Sequence, residues 1–293
     1  MTLPAILALV AAFGYGLGDF IAGMLSRRVH FAVVAVLAGI AALVTTVIAV
    51  GLLTPVQPTS EALLWGAASG IGTALGTLAL FRGLGRGRMG IVAPVSGVTA
   101  AAIPVLVGVI LGDRPALIAW VGVALAVPAI WLVSSEEHDD GVAAGAGPRP
   151  DGPRLATSVS DGILAGLGFA VLFIGLSFAG ETSGLWPVLA NELAGLVVFA
   201  LALVAVLPTI ERRRPDARDL AGGALVGVIG AGSSAAYFLA TTSGLLSIVT
   251  VLASLYPAVT VILAIVVAHE AVGRRQALGL GLVLVAIALI VLG

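Results

Sequence analysis

Polar residues in this chain fall in short intervals, and long uninterrupted apolar runs lie between them. Ten such runs can be read, at residues 3–25, 31–53, 61–82, 90–111, 115–133, 159–179, 185–207, 219–240, 246–267 and 275–292. A helix rises 1.5 Å per residue, so a run of about 20 residues is about 30 Å long, the thickness of the hydrocarbon layer of a bilayer. The pattern therefore predicts ten membrane-spanning helices. The first run lacks a basic start and is longer than a signal-peptide core, so it is read as a span. The intervals 54–60 and 212–219 are polar and contain prolines, as turns do.

The runs repeat. The stretch 247–292 holds two apolar runs around the charged hinge His269-Glu270-Ala271-Val272-Gly273-Arg274-Arg275, and about 157 residues earlier 94–133 has the same plan around Gly112-Asp113-Arg114-Pro115. At that offset Glu270 falls on Asp113, Gly279 on Gly122, Gly223 on Gly66 and Ser234 on Thr77. Residues 134–157 are rich in Gly, Pro, Ala and charge and are read as a flexible linker. The organisation expected is a first repeat of five spans at 1–133, the linker, and a second repeat of five spans at 158–293. Five spans on each side of the linker make the halves inverted relative to one another. The fold class expected is thus all-α integral membrane, with ten transmembrane helices as two inverted five-helix repeats around a central cavity.

Composition agrees with the pattern. The 293 residues are 60% hydrophobic and 10% charged, with mean hydropathy +1.18. A soluble domain needs more polar surface than that. There are no cysteines and three scattered histidines, so neither a disulfide nor a metal centre is expected. All fourteen basic residues are arginines, and thirteen of them lie in the loops after spans 1, 3, 5, 7 and 9, with Arg114 alone on the other side. By the positive-inside rule those loops are cytoplasmic and both termini are outside. The Ala/Gly/Val/Leu/Arg bias suggests a GC-rich bacterial source, and hence a multi-pass protein of the inner (plasma) membrane.

Certain motifs recur in order along the chain. They are Gly14-Tyr15-Gly16-Leu17-Gly18-Asp19-Phe20 in span 1, Gly85-Arg86-Gly87-Arg88-Met89-Gly90 through Pro94, and Leu252-Ala253-Ser254-Leu255-Tyr256-Pro257 through Glu270. Together with the paired halves they resemble the EamA-type branch of the drug/metabolite transporter superfamily, over nearly the whole chain except the linker. The resemblance implies ten helices in a basket around a cavity, with small metabolites exported or exchanged by alternating access. Members are commonly drawn with cytoplasmic termini, against the arginine count. They also often carry an arginine in the second helix of a half. Span 2 has none, and Asn191-Glu192 occupies that region of span 7.

Asp19 and Glu192 are read as lying well inside spans, where a charge costs about 2.5–3.5 kcal/mol on insertion scales and usually faces a cavity. One is late in its span and the other early, which puts them about 10 Å apart in depth. That suits two stations on one pathway better than a shared-proton pair. Either can couple transport to protons or pair with a cationic substrate, and either can instead bond a neighbouring helix. Ser234, Tyr237 and Thr241 share one helical face, as do Thr73 and Thr77 in span 3, which fits a polar lining or interhelical hydrogen bonds. Tyr15 shares the face of Asp19, and Phe169 and Phe173 hold comparable places in span 6, as cavity wall or as packing. Pro94, Pro104 and Pro257 are expected to kink their helices, with Tyr256 beside Pro257 as a site element. Asp113 and Glu270 belong at span ends, where they shape the hinges beside Arg114 or Arg274 and Arg275.

The expected substrate-binding residues are therefore Tyr15, Asp19, Phe169, Asn191, Glu192, Ser234, Tyr237 and Tyr256, with Asp19 and Glu192 for proton coupling. No catalytic residue, cofactor, metal or nucleic-acid partner is expected. The partners are a small-molecule substrate and the lipid bilayer, with the chain acting as a monomer or homodimer. The alternatives to a metabolite transporter are a flippase of a lipid-linked carrier and a membrane scaffold or subunit. An integral-membrane enzyme would need clustered acids, histidines or a nucleophile at membrane depth, and the sequence offers no such cluster.

Overall fold

The computed structural model describes residues 3–86, 89–110, 116–134, 155–180, 182–210, 215–243, 249, 252–270 and 273–292. Helices follow the apolar runs closely: α1 Leu3–Ser26, α2 Phe31–Leu53, α3 Ser60–Gly85, α4 Met89–Ile110, α5 Leu117–Ser134, α6 Leu155–Phe178, α7 Trp186–Val206, α8 Ala217–Ser243, α9 Tyr256–Val266 and α10 Arg274–Leu292. Asp113, Arg114 and linker residues 135–154 lie outside the described residues.

Local chemistry sets the ends. Thr59 caps α3 by accepting from the Ala62 amide at 3.2 Å, with Glu61 in the first turn, where a helix favours negative charge. Asp216 and Asp219 form a reciprocal capping box at the start of α8. The Asp219 amide donates to the Asp216 carboxylate at 2.9 Å, and the Asp216 amide donates to Asp219 at 3.0 Å.

One span differs from expectation. Instead of a continuous 246–267 helix kinked at Pro257, the chain turns at Ser254 and Leu255, and α9 starts afresh at Tyr256. Pro257 lies in the first turn of α9, where its missing N–H removes no helical bond. The proline thus marks a helix start. Pro94 and Pro104 both lie inside α4, which is helical from Met89 to Ile110.

The two halves of the chain pack mainly against each other. α3 lies on α6 and α7, α8 lies on α1 and α2, α4 lies on α6 and α9 on α1. α5 pairs with α10 and α2 with α7. Small residues permit the closest of these contacts. A Cβ on Gly70 of α3 would stand 2.2 Å from the Asn191 carbonyl oxygen of α7, and one on Gly227 of α8 would stand 2.1 Å from that of Ala38 in α2. The two glycines are separated by the same 157 residues that relate the sequence halves. A second, smaller apolar cluster joins Ile91, Val95 and Val98 of α4 to Ala129 of α5 and Val283, Ala286 and Ile287 of α10.

Large apolar side chains such as Leu52, Leu64, Leu201, Val204 and Leu278 face outward. Among the described residues six helices are long and apolar enough to cross a membrane. An exposed apolar mantle over helices with internally bonded backbones is how a polytopic protein meets lipid. Gly70→Ala is expected to lower the melting temperature of the detergent-purified protein, at a cost of about 1–3 kcal/mol for overpacking. Gly51→Ala, where an added Cβ meets nothing within 4 Å, is the matched control and should leave it unchanged.

Candidate functional site

Where the helices do not close on one another, a cavity of about 100 Å³ remains, enough for several water molecules or part of a small solute. α1 contributes Gly14, Tyr15, Gly18 and Asp19, and α6 contributes Phe169, Leu172 and Phe173. Thr73, Thr77 and Phe81 come from α3, and Val226, Gly227, Gly230 and Ser234 from α8. α2 adds Ala38, Gly39 and Ala42, α7 adds Glu192 and Phe199, and Tyr256 completes the wall. The lining thus includes α2 and α7, while α4 supplies none of the described lining residues.

Both intramembrane carboxylates open on this one space. Asp19 is half-buried and has no hydrogen-bond or ion-pair partner among the described residues. Glu192 is held by two neighbours: the Asn191 amide donates to its Oε1 at 3.2 Å, and Ser234 of α8 also hydrogen-bonds it. Asn191 is itself buried and fixed, its Oδ1 accepting from Ser69 at 3.1 Å and from Thr73 at 2.9 Å. It does not line the cavity but orients Glu192 from behind. Neither arginine, lysine nor histidine is found among the described lining residues.

The aromatic residues are positioned by their polar ends. The Tyr15 hydroxyl donates to Ser234 Oγ at 3.2 Å, joining α1 to α8. Tyr256 shares a 3.0 Å bond with Ser96 Oγ of α4, and its ring meets that of Phe169 edge-on at 6.0 Å. Thr260 Oγ1 donates to the Gly16 carbonyl at 3.1 Å, fastening α9 to α1. Tyr237 is fully buried, packed on Phe173 at 4.9 Å, and stands behind the wall. Ser254, at the turn before α9, is buried with its hydroxyl unpartnered.

Of the eight expected binding residues, six line the cavity: Tyr15, Asp19, Phe169, Glu192, Ser234 and Tyr256. Asn191 and Tyr237 support it. Thr73 and Thr77, read as one polar face of span 3, also line it, and Phe81 and Phe199 are lining residues that the sequence reading did not single out. Phe81 and Phe199 look like any other apolar residue of a span, and only the packing shows which way they face.

Charged groups tie the halves at the arginine-bearing end. Glu270, at the hinge beside Arg274 and Arg275, pairs with Arg27 at the end of α1 and accepts from the Gly90 amide at the start of α4 at 3.4 Å. Fully buried Asp161 takes three bonds, from Arg82 Nε at 3.0 Å, Arg82 Nη2 at 2.5 Å and Arg86 Nη1 at 2.8 Å. Sequence reasoning missed Asp161; its signal was an acid just inside an apolar span on the side where arginines collect. At the opposite end the ties among the described residues are uncharged: Thr59 with Ser183 at 3.2 Å, the Leu185 amide to Thr54 Oγ1 at 3.3 Å and Trp186 Nε1 to the Val56 carbonyl at 2.9 Å.

Residues 156–292 match the family model described as the EamA-like transporter family. A crystal structure of another protein superposes with a TM-score of 0.60 at 14% identity, over 98% of this chain and 95% of that one, a likeness of fold. No curated protein matches.

Asn191→Leu is expected to lower the thermal stability of the purified protein by about 1–2 kcal/mol, because it leaves Ser69, Thr73 and Glu192 without their shared partner. Thr242→Val, removing only a hydroxyl bonded within its own helix, should cost far less in the same melting assay.

Proposed function

We propose that this member of the EamA-like transporter family is a secondary transporter for a small organic amine with an apolar or aromatic body, exported in exchange for protons. The observation that carries the reading is the cavity wall: two carboxylates, Asp19 and Glu192, among tyrosine and phenylalanine rings, with no basic side chain among the described lining residues. An anionic solute would meet like charge there. A protonated amine meets a carboxylate at one end and aromatic faces around it, which attract cations. Asp19, with no partner of its own, is the group left for the ligand, and Glu192 is the fixed one.

Exchange follows from competition. A carboxylate in an apolar cavity is neutralised by a proton or by an amine, not by both, so arrival of one releases the other. Alternating access rocks the halves, read as inverted five-helix repeats, across the cavity. The reciprocal packing of α3 on α6 and α7 and of α8 on α1 and α2 supports that reading. The Arg27–Glu270 and Arg82/Arg86–Asp161 pairs are the closure on one side, and the Thr54, Thr59–Ser183 and Trp186 bonds are the closure on the other. The bacterial plasma membrane is the expected setting, with the arginine-bearing loops in the cytoplasm.

A thermal-shift panel of aromatic amines, amino acids, nucleosides, sugars and organic acids at two pH values tests the substrate class. Amines should stabilise the protein, by about 2.7 kcal/mol at a hundred times Kd. The shift should grow as pH rises and protons leave the carboxylates. It should disappear, with its pH dependence, in the Asp19→Asn, Glu192→Gln double variant. Stabilisation by organic acids or sugars and none by amines would refute the proposal.

The closure is tested separately. The chain has no cysteine, so Thr77→Cys in the cavity wall is a clean reporter in vesicles of known orientation. Adding Glu270→Gln is expected to speed its labelling by an impermeant maleimide from the arginine-bearing side. Unchanged labelling from that side would remove the pair from the gate.

A further inference from the structure

A second hollow lies on the outer surface, between α3 and α6, and has no part in the cavity described above. Its volume is about 490 Å³. Its sides are Ile71, Leu75 and Leu78 of α3 and Leu164, Leu167 and Val171 of α6. Its floor is Gly72 and Gly168, where the two helices touch so closely that a Cβ on Gly168 would stand 2.5 Å from the Gly72 carbonyl oxygen. The groove exists because glycines draw the backbones together while leucines, isoleucine and valine stand up on either side.

One end of this groove is charged. Arg82 is among its lining residues, and its side chain keeps 38% exposure even though it is paired. Arg82 and Arg86 share the single Asp161 carboxylate, which is fully buried. Two guanidiniums against one acid leave a net positive charge facing outward. The bonds from Arg82 use Nε and Nη2 and leave Nη1 outside the pair.

The dimensions select the occupant. From Ile71 to Arg82 is eleven residues of α3, about 16 Å at 1.5 Å per residue, while one leaflet of a hydrocarbon core of about 30 Å is about 15 Å deep. The groove therefore runs from the charged interface to about the bilayer centre and stops. That is the length of one acyl chain, with a cation where its phosphate would lie. A packed helix from a second copy would need a seam of the full membrane thickness and no charge at its end.

We propose that the α3–α6 groove is a binding site for one anionic glycerophospholipid of the arginine-side leaflet. An acyl chain lies between Leu75 and Leu167, and the headgroup phosphate sits on Arg82 and Arg86. Basic groups between helices at that depth recognise anionic headgroups. The lipid would brace α3 against α6, the helices that carry Thr73, Thr77, Phe169 and Phe173 into the central cavity.

The test is native mass spectrometry and thermal shift on the full-length protein, with phosphatidylglycerol and phosphatidylcholine of identical acyl chains as probes. Wild type should retain one phosphatidylglycerol per chain, preferred over phosphatidylcholine by about fivefold or more, the factor expected for one interfacial arginine. Arg82→Gln should erase the preference. Should Arg82→Gln fail to fold, Leu167→Trp, which fills the groove and leaves the Asp161 cluster intact, should lose both lipids at an unchanged melting temperature without added lipid. Equal retention of the two lipids by wild type would overturn the site. So would full retention by Leu167→Trp, or a dimer that Leu167→Trp dissociates.

Discussion

The cavity depends on how closely α3 and α8 approach the opposite half. Lipid gives helices no hydrophobic reason to associate, so their contact must come from shape, and glycine at the crossing point provides it. Gly70 against the Asn191 carbonyl and Gly227 against that of Ala38 bring backbone to backbone, with room for no side chain between. Once those crossings are fixed, α3 and α8 cannot also close on the facing walls. The gap is bounded by whatever projects from α1, α2, α6 and α7. The site is the space that the glycine contacts leave over.

That arrangement makes like walls from the two halves. Tyr15 and Phe169 both line the cavity, as do Gly18 and Leu172, and Asp19 and Phe173, each pair separated by the same 154 residues. Thr77 and Ser234 do so at 157. The chemistry at those positions is not alike. An acid in α1 stands where α6 has a ring, and Glu192 in α7 has the small apolar Ala35 at the corresponding offset in α2. Matching positions in the two halves thus supply the shape of the wall, and their differing side chains place the carboxylates on α1 and α7.

Much of this was legible in the residues. Among the described residues a helix lies in each of the ten apolar runs, six of them long and apolar enough to cross a membrane, and Asp19 and Glu192 stood out because acids are costly at that depth. Tyr15 and Asp19, read as one helical face, both line the cavity, and of the Ser234, Tyr237 and Thr241 face Ser234 does. Other features were not legible, for identifiable reasons. Pro257 reads equally as a kink or a first-turn residue until the preceding turn is placed. Asn191 and Tyr237 are polar groups at the right depth, but a quarter-turn decides whether such a group lines a wall or stands behind it. The partner of Glu270 is Arg27, 243 residues away, a distance in sequence over which no local pattern reports.

The charged ties show why depth matters more than residue type. Asp161 and Asp19 are the same side chain at the two ends of one environment. Asp161, near the interface, collects two arginines and accepts three bonds; Asp19, at the cavity, has none. Arginine reaches a carboxylate at the membrane edge by extending its long apolar stem, and it does not reach one deep in the bundle without burying its own charge. Acids near the edge are therefore satisfied within the protein and hold helices together. Asp19, at the cavity, has no ion-pair partner among the described residues.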